Sequence, residues 1–155
     1  MTMARGPNGE ELPDAVLFSC TMNAIRSPMA AAMMKHLFGR SVYIESCGVR
    51  AGVLDPLAVE VMEEIGIDLS HLHPKSFETL SDTSFDLIIA LSPQARHKAL
   101  ELTRAMAVDV EYWKIPDPSA YDGSREQRLA AYREARDAIF RHLKERFAAR
   151  PAPEV

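Results

Sequence analysis

Ala15-Val16-Leu17-Phe18-Ser19-Cys20-Thr21-Met22-Asn23-Ala24-Ile25-Arg26-Ser27-Pro28 reads as a strand, a tight loop and the opening of a helix. The apolar run 15–18 supplies the strand, and Pro28 suits the first turn of a helix. A loop that enters a helix N-terminus aims several backbone N–H groups at one spot, where the helix dipole also favours negative charge. Cys20, at the first position of the loop, would sit in that field, which favours its thiolate and makes it a nucleophile. Arg26 adds a planar fork of donors matched to two oxygens of a phosphate-like oxyanion. Ser27 can donate its hydroxyl to the sulfur and cap the helix that Pro28 opens. Thr21, Met22, Asn23, Ala24, Ile25, Arg26 and Ser27 are thus the candidate phosphate-binding residues, with Cys20 as nucleophile. The alternative is a buried, inert cysteine closing an apolar strand. The strand before the loop and the Pro-led helix after it favour the phosphoryl-transfer reading.

Outward from that loop, the chain has the make-up of a soluble globular protein. Its 155 residues suffice for one domain with a proper core. Apolar residues make up 47% and charged residues 26%, and the net charge of −4 argues against generic nucleic-acid binding. Anion binding must come from a local site. No run of about eighteen apolar residues suggests a membrane span. Residues 1–14 are polar, carry Gly6, Pro7, Gly9 and Pro13, and read as a flexible lead-in. A single domain is expected over 15–148, with a frayed tail over 149–155. The two cysteines, Cys20 and Cys47, do not make a disulfide framework, and a reducing cytoplasm is expected.

Helical spacing of Met29, Met33, His36 and Leu37 places the first helix over residues 27–38, stopped by Gly39. His36 reads as a helix-surface or C-terminal dipole residue. Residues 42–47 form a strand ending at Gly48. Asp55 caps a second helix running through Leu57, Val61, Met62 and Ile65 to Gly66. His71 and His73 lack a third ligand, so no metal site is expected there. The run 85–91 is almost wholly apolar, as for a central parallel strand covered on both faces. Ser92-Pro93 begins a third helix to about residue 106, and 108–113 reads as a less buried fourth strand. Ser124 caps a long last helix with Leu129, Tyr132, Ile139, Leu143 and Phe147 on its apolar face. Alternating strands and helices imply an α/β fold with a doubly wound parallel sheet and a site at the carboxyl ends of its strands.

Cys-x5-Arg-Ser-Pro near the N-terminus, with Asp117-Pro118 far downstream, resembles the low-molecular-weight protein tyrosine phosphatase family, whose fold is shared by thioredoxin-coupled arsenate reductases. The similarity runs from about Val16 to about Phe147. The resemblance implies a phosphatase-I-like three-layer sandwich with a four-stranded sheet in the order 2-1-3-4. It implies a cysteinyl-phosphate intermediate on Cys20, charge stabilisation by Arg26, and Asp117 as general acid. It also implies that Ser46 braces the loop through Asn23, a residue type that tolerates a left-handed backbone. Asn23, Ser27 and Ser46 are therefore the expected loop supports. No cofactor is implied, and the expected substrate is a phosphorylated protein or a small aryl phosphate, acted on by a monomer or weak dimer.

Departures from the family pattern narrow what carries over. Met22 stands where the family often has glycine, and Ile25 where many members carry a second loop cysteine. Cys47 replaces an alanine; if Ser46 faces the loop, Cys47 should face away from it. The aromatic that commonly follows Asp-Pro is replaced by Ser119-Ala120, leaving Arg50 and Tyr121 as candidates to line the entrance. Asp109 and Asp122 compete with Asp117 for the role of acid. Arsenate reduction through an external thiol is the alternative activity, because no cysteine follows Cys47. A non-catalytic phosphate-sensing module is the third reading.

Overall fold

The computed structural model describes residues 12–80 and 84–147. The elements are β1 (Ala15–Cys20), α1 (Arg26–Phe38), β2 (Tyr43–Gly48), α2 (Pro56–Glu63), β3 (Leu87–Ala90), α3 (Pro93–Leu102), β4 (Asp109–Tyr112) and α4 (Arg125–Phe147). Short 3-10 turns lie at Phe77–Thr79 and Pro118–Ala120. The four strands form one parallel sheet in the order β2-β1-β3-β4.

The apolar runs become the interior strands β1 and β3, every residue of which is buried. Alternate side chains divide between the two faces. Val16, Phe18, Cys20 and Ile89 join the larger core with Met29 and Met33 of α1, Met62 of α2 and Ile139 of α4. Leu17, Cys47 and Ile88 point to the other face, where Ala99 of α3 packs. Helices thus cover both faces. The fourth strand is only half-buried, as its mixed sequence implies.

Helix entry is written in side chains at three of the four helices. Asp55 accepts from Leu57 N–H (2.8 Å) and Ser92 from Ala95 N–H (3.2 Å), each followed by a proline in the first turn. At α4, Ser124 Oγ accepts from Gln127 N–H while Gln127 Oε1 accepts from Ser124 N–H, a reciprocal capping box. Helix α1 departs from expectation: it begins at Arg26, its cap position is Ile25, and no side chain caps it. Ser27 lies inside the first turn, so its hydroxyl is free for other work. Met29 and Met33 are buried and His36 is exposed in the last turn, as expected, but Leu37 is exposed too; Met34 and Phe38 are buried as well. Helix α3 stops at Leu102, short of residue 106.

Most of the expected lead-in, and all of the tail expected over 149–155, lie outside the described residues. Within the lead-in, Leu12 is buried in the core and the Asp14 N–H donates to Asp86 Oδ2. Strand β1 has β2 on one side and β3 on the other, so successive connections leave it in opposite directions. A crevice opens at the carboxyl ends of β1 and β3, the switch point where such sheets bind ligands.

Candidate active site

Cys20 is the last residue of β1, and the loop 21–25 carries the chain from it into α1. A neighbouring segment shapes that loop. Val49 N–H donates to Cys20 O (3.0 Å), Arg50 N–H to Thr21 O (2.9 Å), Gly52 N–H to Met22 O (2.8 Å) and Asp55 N–H to Ala24 O (3.1 Å). In a trans peptide the N–H of the next residue points opposite to the carbonyl. Holding those carbonyls outward therefore turns the following N–H groups the other way. Among the described residues, the N–H groups of Thr21, Met22, Asn23, Ala24 and Ile25 make no protein hydrogen bond. Four of them, those of Thr21, Met22, Asn23 and Ile25, follow carbonyls held by the rungs and so turn away from segment 49–55, as a cradle of donors requires.

Asn23 has φ +53°, the left-handed conformation its type tolerates. It is fully buried, and its Nδ2 donates to Ser46 Oγ (3.0 Å) and Ser27 Oγ (2.8 Å), while Oδ1 accepts from Lys75 N–H (2.9 Å). The loop lies so close to the end of β2 that a Cβ on Gly48 would stand 2.6 Å from Asn23 N. Ser27 Oγ is 2.9 Å from Cys20 Sγ and 3.2 Å from Cys47 O. Its single proton can reach either one, and an ionised sulfur is the stronger acceptor.

Arg26 is buried, and its Nη1 donates to the carbonyls of Leu91 (3.2 Å) and Ile115 (3.0 Å), just past β3 and β4. Nη2 stands 3.8 Å from Asp117 Oδ2. The guanidinium is thus fixed by one nitrogen and turned toward the cleft by the other. Asp117 divides its oxygens too. Oδ1 accepts from Ser119 N–H (2.9 Å) and Ser119 Oγ (2.7 Å), capping the Pro118 turn, while Oδ2 looks toward Arg26.

These groups share a cleft of about 470 Å³ lined by Cys20, Arg26, Asp117 and the loop, with Met22, Pro93, Gln94, Ser119 and Asp55 as its walls. A larger, open concavity of about 1280 Å³ lies at the amino end of β2, and no cysteine lines it. Neither expected entrance residue lines the cleft that holds Cys20. Arg50 is exposed outside it, and Tyr121 instead borders a separate groove against α4. Asp109 begins β4 and so stands at the opposite end of the sheet from Cys20, and Asp122 does not line the cleft. Among the described residues, no cluster of three or more His, Cys, Asp or Glu could hold a metal, and His71 pairs only with Asp68.

Three contributions escaped the sequence reading. The carbonyls of Leu91 and Ile115 have no side-chain signature. Gln94 and Ser92 reach the loop through Thr21, whose Oγ1 donates to Ser92 Oγ (3.0 Å) and lies 3.4 Å from Gln94 Oε1. Their signal was the Ser92-Pro93 helix start at the carboxyl end of an apolar strand. Asp55 was legible only as a helix cap.

A family model described as low molecular weight phosphotyrosine protein phosphatase matches residues 15–150. An arsenate reductase of Bacillus subtilis (strain 168) is 33% identical over 130 residues, covering 84% of this chain and 92% of that protein. Among solved structures, an arsenate reductase in the phosphate binding state superposes with a TM-score of 0.73 at 26% identity, covering 87% of this chain and 97% of the other. The tyrosine phosphatase Wzb from Escherichia coli K30, in complex with sulphate, shares the fold with a TM-score of 0.66 at 23% identity over 86% of this chain and 99% of that one.

Proposed function

Because the chain belongs to the low molecular weight phosphotyrosine protein phosphatase family, we propose that it is a cysteine-dependent phosphomonoester hydrolase working through a cysteinyl-phosphate intermediate. The supporting observation is the meeting in one cleft of Cys20, loop residues whose N–H groups have no protein acceptor among the described residues, and Arg26 turned toward Asp117. The Cys20 thiolate attacks phosphorus and the ester P–O bond breaks. The cradle and Arg26 take the charge on the three equatorial oxygens. Asp117 protonates the departing oxygen, and its carboxylate then takes a proton from the water that cleaves the P–S bond. Ser27 donates to the sulfur, which steadies the thiolate before attack and as it leaves.

The cleft walls bear on the substrate. Among the described residues no aromatic side chain lines it, and Met22, Pro93, Gln94 and Ser119 form its walls. Flexible Met22 suits varied apolar surfaces. A phosphotyrosine side chain is accommodated here without being selected strongly over other aryl phosphates. Arsenate reduction is the second reading, favoured by the similarity to the Bacillus subtilis arsenate reductase. Arsenate fits the same cradle, but its reduction needs two electrons from thiols, and Cys47 lies on the opposite face of the sheet from Cys20. The second thiol would have to come from outside, such as glutathione or a glutaredoxin.

Turnover of a phosphotyrosine peptide, a small aryl phosphate, and arsenate with an external thiol separates the two readings. The ester substrates are expected to turn over without thiol. Asp117→Asn tests the acid. Loss of such a group costs about 10²–10⁴-fold for poor leaving groups and far less for activated ones. The variant's rate should therefore fall more steeply with leaving-group pKa than the parent's. The same steepening in Asp122→Asn, with none in Asp117→Asn, would reassign the acid.

A further inference from the structure

Asp55 does more at this site than cap a helix. Its N–H makes the last rung of the ladder against the loop, to Ala24 O. Its Oδ1 accepts from Leu57 N–H at the start of α2, and its Oδ2 accepts from Tyr132 Oη of α4 at 2.7 Å. Its side chain also lines the cleft that holds Cys20 and Arg26. Tyr132 is 1% exposed, and between its neighbours Leu129 and Ile139 it belongs to the main core. One residue therefore ties the loop, α2 and α4 together at a single point. Its carboxylate, with both oxygens engaged by donors, stands in a cleft whose other features suit an anion.

We propose that Asp55, held by Tyr132, is a positioning residue that sets the Ala24–Ile25 peptide so that the Ile25 N–H enters the anion cradle. The inference rests on the phosphate-site reading of the cleft. The Ala24 carbonyl is kept outward only while the Asp55 backbone stays in register. That backbone is fixed by the side chain at both oxygens: one to the helix it begins, the other to a tyrosine that cannot move without moving the core. Burial, followed by the Asp55 hydrogen bond, pushes the Tyr132 hydroxyl well above its ordinary range, so it remains a proton donor throughout the working pH range. Asp55 takes no part in proton transfer. What it supplies is shape: two acceptors at a set spacing. Asparagine can supply much of that shape, with its carbonyl toward Leu57 N–H and its amide toward the tyrosine hydroxyl.

The test compares Asp55→Ala, Asp55→Asn and Tyr132→Phe in the full chain, below the melting temperature of each variant. Two readouts need no turnover: the rate at which iodoacetamide alkylates Cys20 across pH, and protection of Cys20 by inorganic phosphate. The third is kcat/KM on an aryl phosphate. Small misplacements of such a site cost up to about 100-fold. Asp55→Ala should slow neutral-pH alkylation, weaken phosphate protection and lower kcat/KM by about 10- to 100-fold. Tyr132→Phe should do the same more mildly, and Asp55→Asn should restore most of what alanine loses. If Asp55→Ala lowers only the melting temperature and leaves alkylation and protection as in the parent, the proposal is overturned. It is equally overturned if Asp55→Asn is as damaging as alanine and removes a limb of the pH–rate profile, since the carboxylate would then be moving a proton. A parent that binds phosphate but hydrolyses no ester would refute the hydrolase reading while leaving the first two readouts to judge Asp55.

Discussion

Cys20 and Arg26 are held by different kinds of contact, and their substitutions separate accordingly. The sulfur touches Ser27 Oγ, whereas the cradle is built from main-chain N–H groups that any side chain leaves in place. Cys20→Ser should abolish turnover yet bind inorganic phosphate within a few-fold of the parent, as titration calorimetry would measure. Near-normal hydrolysis by that variant would remove Cys20 from the reaction. Arg26 is placed by two carbonyls on one nitrogen, leaving the rest of its plane toward the cleft. A lysine ammonium can satisfy those carbonyls or reach an oxyanion, but its compact charge cannot do both. Arg26→Lys should lower kcat by about 10²–10³-fold, the usual cost of losing a preorganised oxyanion donor.

At the scale of elements, the pairing of β1 with β2 decides the redox behaviour. Ser19 lies beside Cys47 and Cys20 beside Gly48, so the two cysteines project from opposite faces of the sheet. Cys20 joins the core under α1, and Cys47 the smaller cluster under α3. Burial, and next the neighbouring Cys20 charge, push the Cys47 thiol far above its ordinary range, so it is a poor nucleophile toward an oxidised sulfur. With Ile25 in place of a loop thiol, mild peroxide should inactivate the protein by oxidising Cys20 alone. Peptide mass spectrometry should find sulfenic or higher acids on Cys20. A Cys20–Cys47 disulfide in high yield would mean that β2 leaves its register under oxidation.

Across the whole molecule, α2 and α4 are joined by ion pairs, two of them open to solvent and one to the buried Arg136, as well as by the core. Glu64 receives Arg133 and Arg136, and Glu60 receives Arg125. Hydrogen bonds from Arg133 and then Arg136 hold the Glu64 carboxyl down to about 2. A carboxyl depressed in the folded state contributes its full stabilisation above its ordinary value of 4.5, and loses it as pH falls toward about 2. Glu64→Gln should therefore melt lower than the parent at pH 6, and the gap should close between pH 4.5 and 2. High salt should weaken the solvent-open Arg133 pair more than the pair to Arg136, whose side chain is buried. A gap that persists at pH 2 would point to lost packing instead. The clamp matters to the site because the same two helices meet at Asp55 and Tyr132.

By itself the sequence determined the alternation of strands and helices, and it singled out the loop 20–27 as the candidate site; the strand order came only from the family resemblance. Apolar runs at 15–18 and 85–91, each bounded by turn or helix-start residues, read as interior strands, and Cys20-x5-Arg26-Ser27-Pro28 puts a thiol and a fork of donors on one short loop. Asn23 at a left-handed position and Asp55, Ser92 and Ser124 as helix caps were legible for the same reason: each acts on backbone within a few residues of itself. What only the tertiary structure decided lies across long separations in the chain. The carbonyls of Leu91 and Ile115 that seat Arg26, the rungs from segment 49–55 that turn the loop's N–H groups inward, and the Tyr132 hydroxyl on Asp55 carry no local signature. Ser27 shows the boundary most clearly. Its type suggested a helix cap, but the helix starts one residue earlier, and tertiary neighbours turn its hydroxyl to Cys20, Asn23 and Cys47. The entrance walls went the same way: Tyr121 is near Asp117 in the chain, yet it faces α4, because which side of a loop meets the cleft is set by the helix packed behind it.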